Sequence, residues 1–130
     1  MHISDKLGEL NHQRNQDWSV PFTSTNARQA IYAFNGDVYK GIDAYTISED
    51  KISLLQKTVR IISGLYGILK PLDLVQPYRL EMGTKIEPIL GVSLPDFWKE
   101  KITSCLNNDL FKSKSKFLFS LSSQEYFESV

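Results

Sequence analysis

The sequence contains a single cysteine, Cys105, in 130 residues. No intrachain disulfide can form, and the reducing cytoplasm is the natural compartment for such a chain. Histidine is almost as scarce, with only His2 and His12. His2, His12 and Cys105 show none of the close spacing that marks a metal site, so no metal and no cofactor is expected. No apolar run approaches the roughly 18 residues that a membrane helix requires. The opening MHISDKLGEL carries no apolar signal core. Net charge is absent too. Fifteen basic residues balance fifteen acidic ones, with seven against seven in residues 1–65 and eight against eight in 66–130. Overall charge therefore gives no support for nucleic-acid or membrane binding.

What is present suits one globular domain over 1–130. Hydrophobic residues make up 42% and charged residues 23%, enough apolar content to exclude disorder for most of the chain. A chain of this size buries roughly two-thirds of its unfolded surface. The first helix is expected from a Ser4 or Asp5 cap, through Leu7 and Leu10, towards Arg14. DWSVPFTST reads as a loop. Thr25 or Asn26 would cap a second helix with Ala27, Ala30, Ile31 and Phe34 on one face, stopped by Asn35-Gly36-Asp37. GDVYKGIDAYT reads as a loop with short extended pieces. Ser48, Glu49 and Asp50 open a helix bearing Ile52, Leu55, Thr58 and Val59. The compact run RIISGLYGIL is a buried strand or a helix end with a tight turn, and periodicity does not decide between them.

Pro71, Pro77, Gly83, Pro88 and Gly91 make residues 70–93 mostly irregular. Pro95-Asp96 opens the strongest helix, with Phe97, Trp98, Ile102, Cys105, Leu106 and Leu110 as its buried stripe and Lys99 and Lys101 exposed. KSKSK at 112–116 is a solvated turn, Phe117–Leu121 a strand, and Ser122 or Ser123 caps a short last helix. The expected fold class is α+β, with several helices packed on a small mixed sheet. Both ends look cut.

Two stretches carry chemistry. Between Lys51 and Leu80 there are five basic residues, Lys51, Lys57, Arg60, Lys70 and Arg79, against one acid, Asp73, a local net charge of +4. Within it, Gly64-Leu65-Tyr66-Gly67 places two glycines three apart, flanked by Arg60 and Lys70. Such a turn, with Gly64 or Gly67 at positive φ, can offer backbone N–H groups to a phosphate because no Cβ blocks the approach. A plain tight turn in a core segment is the bland alternative, and composition alone favours it. The second stretch is Asp73 to Gly83. There Arg79 could clamp a phosphate or carboxylate, and Asp73 or Glu81 could act as a base. Equally, Arg79 pairs with Glu81 or Asp73 and only pins the loop. This leaves an enzyme acting on a phosphorylated or carboxylate small molecule at Asp73, Arg79 and Glu81 as the alternative to a nucleic-acid binder.

The sequence blocks themselves point to a family. Phe34-Asn35-Gly36-Asp37-Val38-Tyr39-Lys40-Gly41-Ile42-Asp43-Ala44, then SGLYGILKPLDLVQPYRLEMGTK from Ser63 to Lys85, resemble the peroxide stress YaaA family. Ile3 to Leu7, Leu10-Asn11, Arg14, Asn26-Ala27-Arg28, Phe97-Trp98, and Ser123 with Glu125-Tyr126-Phe127 follow in the family's order. The resemblance implies a cytoplasmic bacterial protein that limits free intracellular iron under hydrogen peroxide. It also implies DNA binding through a helix–hairpin–helix-like element in a basic cleft, carried here by Arg60, Gly64, Tyr66, Gly67 and Lys70, with Arg79 nearby. The spacing of Gly64 and Gly67 departs from the usual helix–hairpin–helix turn, in which glycines sit two apart. Family members are also longer at both ends, so the chain is expected to be an internal piece whose cleft is incomplete.

Overall fold

The computed structural model describes residues 4–130, and the fold is α+β. The chain forms two compact units, one from residues 4–61 with 69–79, the other from 62–68 with 80–130. In the first unit, α1 (Asp5–Asp17) follows Ser4, as expected, but none of its residues is buried. The second expected helix is shorter than its periodicity suggests. Arg28–Gln29 form strand β1 and only Ala30–Ala33 form helix α2. The reason lies in competing hydrogen bonds. Asn26 does not cap forwards: its Oδ1 accepts from the Thr23 backbone N–H at 2.8 Å and its Nδ2 donates to Pro21 O at 3.1 Å. Arg28 and Gln29 pair antiparallel with Val75 and Leu74 of strand β4 (Leu74–Val75), and Ala30 N donates to Asp73 O.

The 37–46 stretch, expected as a loop, is helical: α3 (Asp37–Ile42), then a 3-10 turn at Ala44–Thr46. Gly41 sits in open space inside α3, so a residue read as a breaker is tolerated, at a cost of about 1 kcal/mol relative to alanine. Helix α4 (Glu49–Thr58) starts after Ser48 and buries Ile52. The Ser48 hydroxyl holds the exposed Asp50 carboxyl below the usual carboxylate range. Core positions of this unit include Ala30, Ile31, Ala44, Ile52, Pro71 and Val75.

Gln76 ties this unit together. It is 3% exposed. Its Oε1 accepts from the Ser19 N–H at 3.1 Å and its Nε2 donates to Ser19 O. Both backbone groups of one loop residue are thus satisfied by one side chain 57 positions away. Gln76→Leu removes both hydrogen bonds, each worth about 0.5–1.5 kcal/mol net. The expected result is a loss of about 2 kcal/mol in urea unfolding and faster proteolysis within residues 18–26.

The second unit holds the long helix α6 (Leu94–Ser113), reached through the short α5 (Glu87–Leu90). Ser93 caps α6, its hydroxyl accepting from Asp96 N. The buried seam runs Leu94, Ile102 and Leu106, with Trp98 half-buried between them. Lys99 and Lys101 are exposed as expected. Phe97 is not in the core. It is 39% exposed, edge-on to Trp98 at 5.1 Å, and Lys101 Nζ lies 4.7 Å from its ring centroid. Phe117–Leu121 forms no strand: Phe117, Phe119 and Leu121 are 73%, 86% and 78% exposed. A strand exists only by pairing, and among the described residues the ladders are β1 with β4 and β2 (Ile61–Ser63) with β3 (Gly67–Leu69). The last short helix, α7 (Gln124–Phe127), follows Ser123.

Candidate functional site

RIISGLYGIL is a strand–turn–strand unit, not a helix–hairpin–helix. The connection between β2 and β3 is Gly64-Leu65-Tyr66, and Gly67 has φ of 74°. The predicted tight turn with a glycine at positive φ is therefore present, with extended flanks. β-branched Ile61 and Ile62 favour those flanks, and Ile61 and Ser63 are buried.

The turn is closed from within. Ser63 Oγ, in a residue 1% exposed, accepts from Leu65 N at 3.2 Å and Tyr66 N at 2.9 Å. These are the amides that a phosphate would otherwise use. Neither glycine leaves an open approach. A Cβ on Gly64 would lie 2.4 Å from Leu80 O, and one on Gly67 would lie 2.6 Å from the Trp98 ring. Trp98 Nε1 also donates to Gly64 O at 2.8 Å. The glycines are needed for close packing on Leu80 and Trp98, a role that paired glycines signal in sequence without naming what approaches them.

The cations around this stretch differ from one another. Arg60 is half-buried and its Nη1 donates to Val59 O at 2.6 Å and, at 3.4 Å, to Gln56 O and Lys57 O, closing the carbonyl end of α4. Lys70 and Arg79 are exposed. Asp73 is half-buried, and its Oδ2 accepts from Lys70 N at 2.7 Å while its backbone carbonyl accepts from Ala30. The Asp73 carboxylate thus caps a turn. Arg60, Lys70, Asp73 and Arg79 belong to the first unit; Gly64, Tyr66, Gly67 and Glu81 belong to the second.

A cavity is present in each unit. In the first, about 460 Å³ is lined by residues that include Arg14, Ser24, Arg28, Phe34, Gln76 and Tyr78. In the second, about 580 Å³ is lined by residues that include Thr84, Lys85, Asp96, Lys99 and Glu128. Neither is lined by Asp73, Arg79 or Glu81. Sequence reasoning missed the first cavity because its walls lie at 14, 24–28, 33–34 and 75–78. The one available signal was the pair of arginines in the quoted blocks. His12 is exposed, Cys105 is half-buried and His2 lies outside the described residues. Among the described residues no group of three or more His, Cys, Asp or Glu could hold a metal ion, and no helix is long and apolar enough to cross a membrane.

Comparison with known proteins adds what the geometry does not supply. The family model described as peroxide stress protein YaaA matches residues 1–130. A UPF0246 protein of Neisseria meningitidis serogroup A is 55% identical over 130 residues, all of this chain and 50% of the relative. UPF0246 proteins of Saccharophagus degradans and Flavobacterium johnsoniae are 56% and 55% identical, again over all of this chain and 51% of each relative. The chain spans about half the length of the curated relatives it matches.

Proposed function

The chain belongs to the peroxide stress protein YaaA family, and from that premise we propose that it contributes the DNA-contacting cations of a cytoplasmic protein that limits free iron under hydrogen peroxide. The observation that carries the DNA reading is the local charge, five basic residues against one acid from Lys51 to Leu80, with Lys70 and Arg79 exposed. Exposed Lys and Arg side chains contact phosphates and displace condensed counterions, a sequence-independent source of affinity. Arg60 adds charge while closing α4. Gly64, Tyr66 and Gly67 hold the turn rigid through Ser63, Leu80 and Trp98, so the phosphate contacts fall to the cations.

This reading is favoured over an enzyme at Asp73, Arg79 and Glu81, because the Asp73 carboxylate is engaged by Lys70 N and neither cavity is lined by the three. Titration of duplex DNA at several salt concentrations tests it. Lys70→Ala and Arg79→Ala, in this chain and at the equivalent positions of a full-length relative, are expected to weaken binding to all sequences alike. Each should lower the slope of log affinity against log salt by about one unit. Unchanged affinity and slope in the folded double variant would remove the assignment. If Arg79 only pins its loop, Arg79→Ala lowers stability and leaves the slope alone.

A further inference from the structure

The cavity of about 460 Å³ in the first unit brings two cations and two aromatic rings to one place. Two arginines, Arg14 and Arg28, line it and no acidic residue does. Arg14 Nη1 donates to the neutral Asn11 Oδ1 at 3.3 Å. Among the described residues neither Arg14 nor Arg28 enters an ion pair. Two guanidiniums sharing a cavity without counter-charge repel each other, and an anion placed between them removes that cost and gains charge-assisted hydrogen bonds.

The remaining walls define the rest of the ligand. Phe34 and Tyr78 both line the cavity and meet edge to face at 6.1 Å and 90°. Phe34 is braced by Tyr39, stacked at 5.6 Å. Flat aromatic walls beside a cationic end suit a ligand with a planar ring joined to an anion. The polar wall is held in advance. Asn26 binds Thr23 N, Ser19 Oγ and Pro21 O, and Gln76 holds Ser19 by both backbone groups. The segment that carries Ser24 and leads into Arg28 of β1 is therefore fixed before any ligand arrives, which reduces the ordering cost of binding. The volume falls in the range of small-molecule sites.

We infer that this cavity binds a nucleoside phosphate, its phosphate between Arg14 and Arg28 and its ring against Phe34 and Tyr78. The same chemistry arises from a free nucleotide or from an unpaired nucleotide of single-stranded DNA. The site stands apart from the duplex contacts at Lys70 and Arg79.

Calorimetric titration of the chain with AMP, adenosine, inorganic phosphate and a short single-stranded oligothymidine tests the inference. AMP, or the oligonucleotide alone if the source is nucleic acid, is expected to bind at least about tenfold more tightly than adenosine or inorganic phosphate. Arg14→Gln and Arg28→Gln should each weaken that binding by about tenfold or more, the loss of one charge-assisted contact. Lys70→Ala should leave it unchanged, which separates this site from the duplex reading. Arg28 is exposed, so Arg28→Gln keeps the test open if Arg14→Gln fails to fold. The inference is overturned if AMP and the oligonucleotide both fail to bind, if adenosine or phosphate binds as tightly, or if folded Arg28→Gln binds as the parent does.

Discussion

Gly64→Ala is expected to cost about 3 kcal/mol or more, although it adds one methyl group. The added Cβ would stand 2.4 Å from Leu80 O and 3.1 Å from Leu80 C. Real side chains do not approach backbone so closely, and backbone cannot rotate aside as a side-chain tip does. Either residues 63–67 or residue 80 must shift, and overpacking of this kind costs about 1–3 kcal/mol or more. The shift also strains the Trp98 Nε1 bond to Gly64 O and the two amides held by Ser63 Oγ. Against a typical total stability of about 5–15 kcal/mol, the loss is a large fraction. Urea unfolding followed by the fluorescence of Trp98, with Trp18 replaced by Phe, reads it directly. Gly41→Ala is the control. Nothing lies within 4 Å of its Cβ position and Gly41 is inside α3, so the same chemical change should stabilise by about 0.5–1 kcal/mol. Equal effects at the two glycines would mean that close packing at Gly64 is not what the turn depends on.

Ile102→Ala is expected to cost about 2–5 kcal/mol. Ile102 is 0% exposed at the centre of the α6 seam. Truncation loses the transfer free energy of the removed carbons and leaves a cavity that neighbours fill only partly. Phe97→Ala removes a larger side chain yet should cost less, because Phe97 is 39% exposed. A lower urea midpoint with an unchanged slope would locate the effect in stability and not in the compactness of the unfolded chain. A larger loss at Phe97 than at Ile102 would show that the α6 seam is misplaced.

That contrast marks where the sequence was legible. Helices start after Ser4 and Ser48 where the sequence places them, though neither serine side chain caps its helix, and α6 begins one residue before its predicted Pro95-Asp96 opening. The stripe on α6 was drawn too wide because apolar residues occupy both Phe97 and Trp98, and spacing alone does not say which one faces inward. The Gly64 and Gly67 turn was legible because only special backbone geometry needs such a pair. What fills the space beside each glycine was not, since Leu80 and Trp98 lie 16 and 31 positions on. The short α2 was misread because Asn26 has several hydrogen-bond partners within reach and a capping rule considers one. The Arg14 and Arg28 cavity depends on β1 pairing with β4, which no local pattern encodes.

The exposed Phe117, Phe119 and Leu121 have a practical consequence for handling the protein. A short run of aromatic and aliphatic residues without a charge is a template for cross-β stacking between molecules. Lys112, Lys114 and Lys116 stand directly before it, as gatekeeper charges that keep such runs apart in solution through mutual repulsion. Repulsion between exposed charges is screened over about 10 Å at 0.1 M salt. Concentrated samples are therefore expected to associate less at low ionic strength, and acetylating these lysines is expected to promote association.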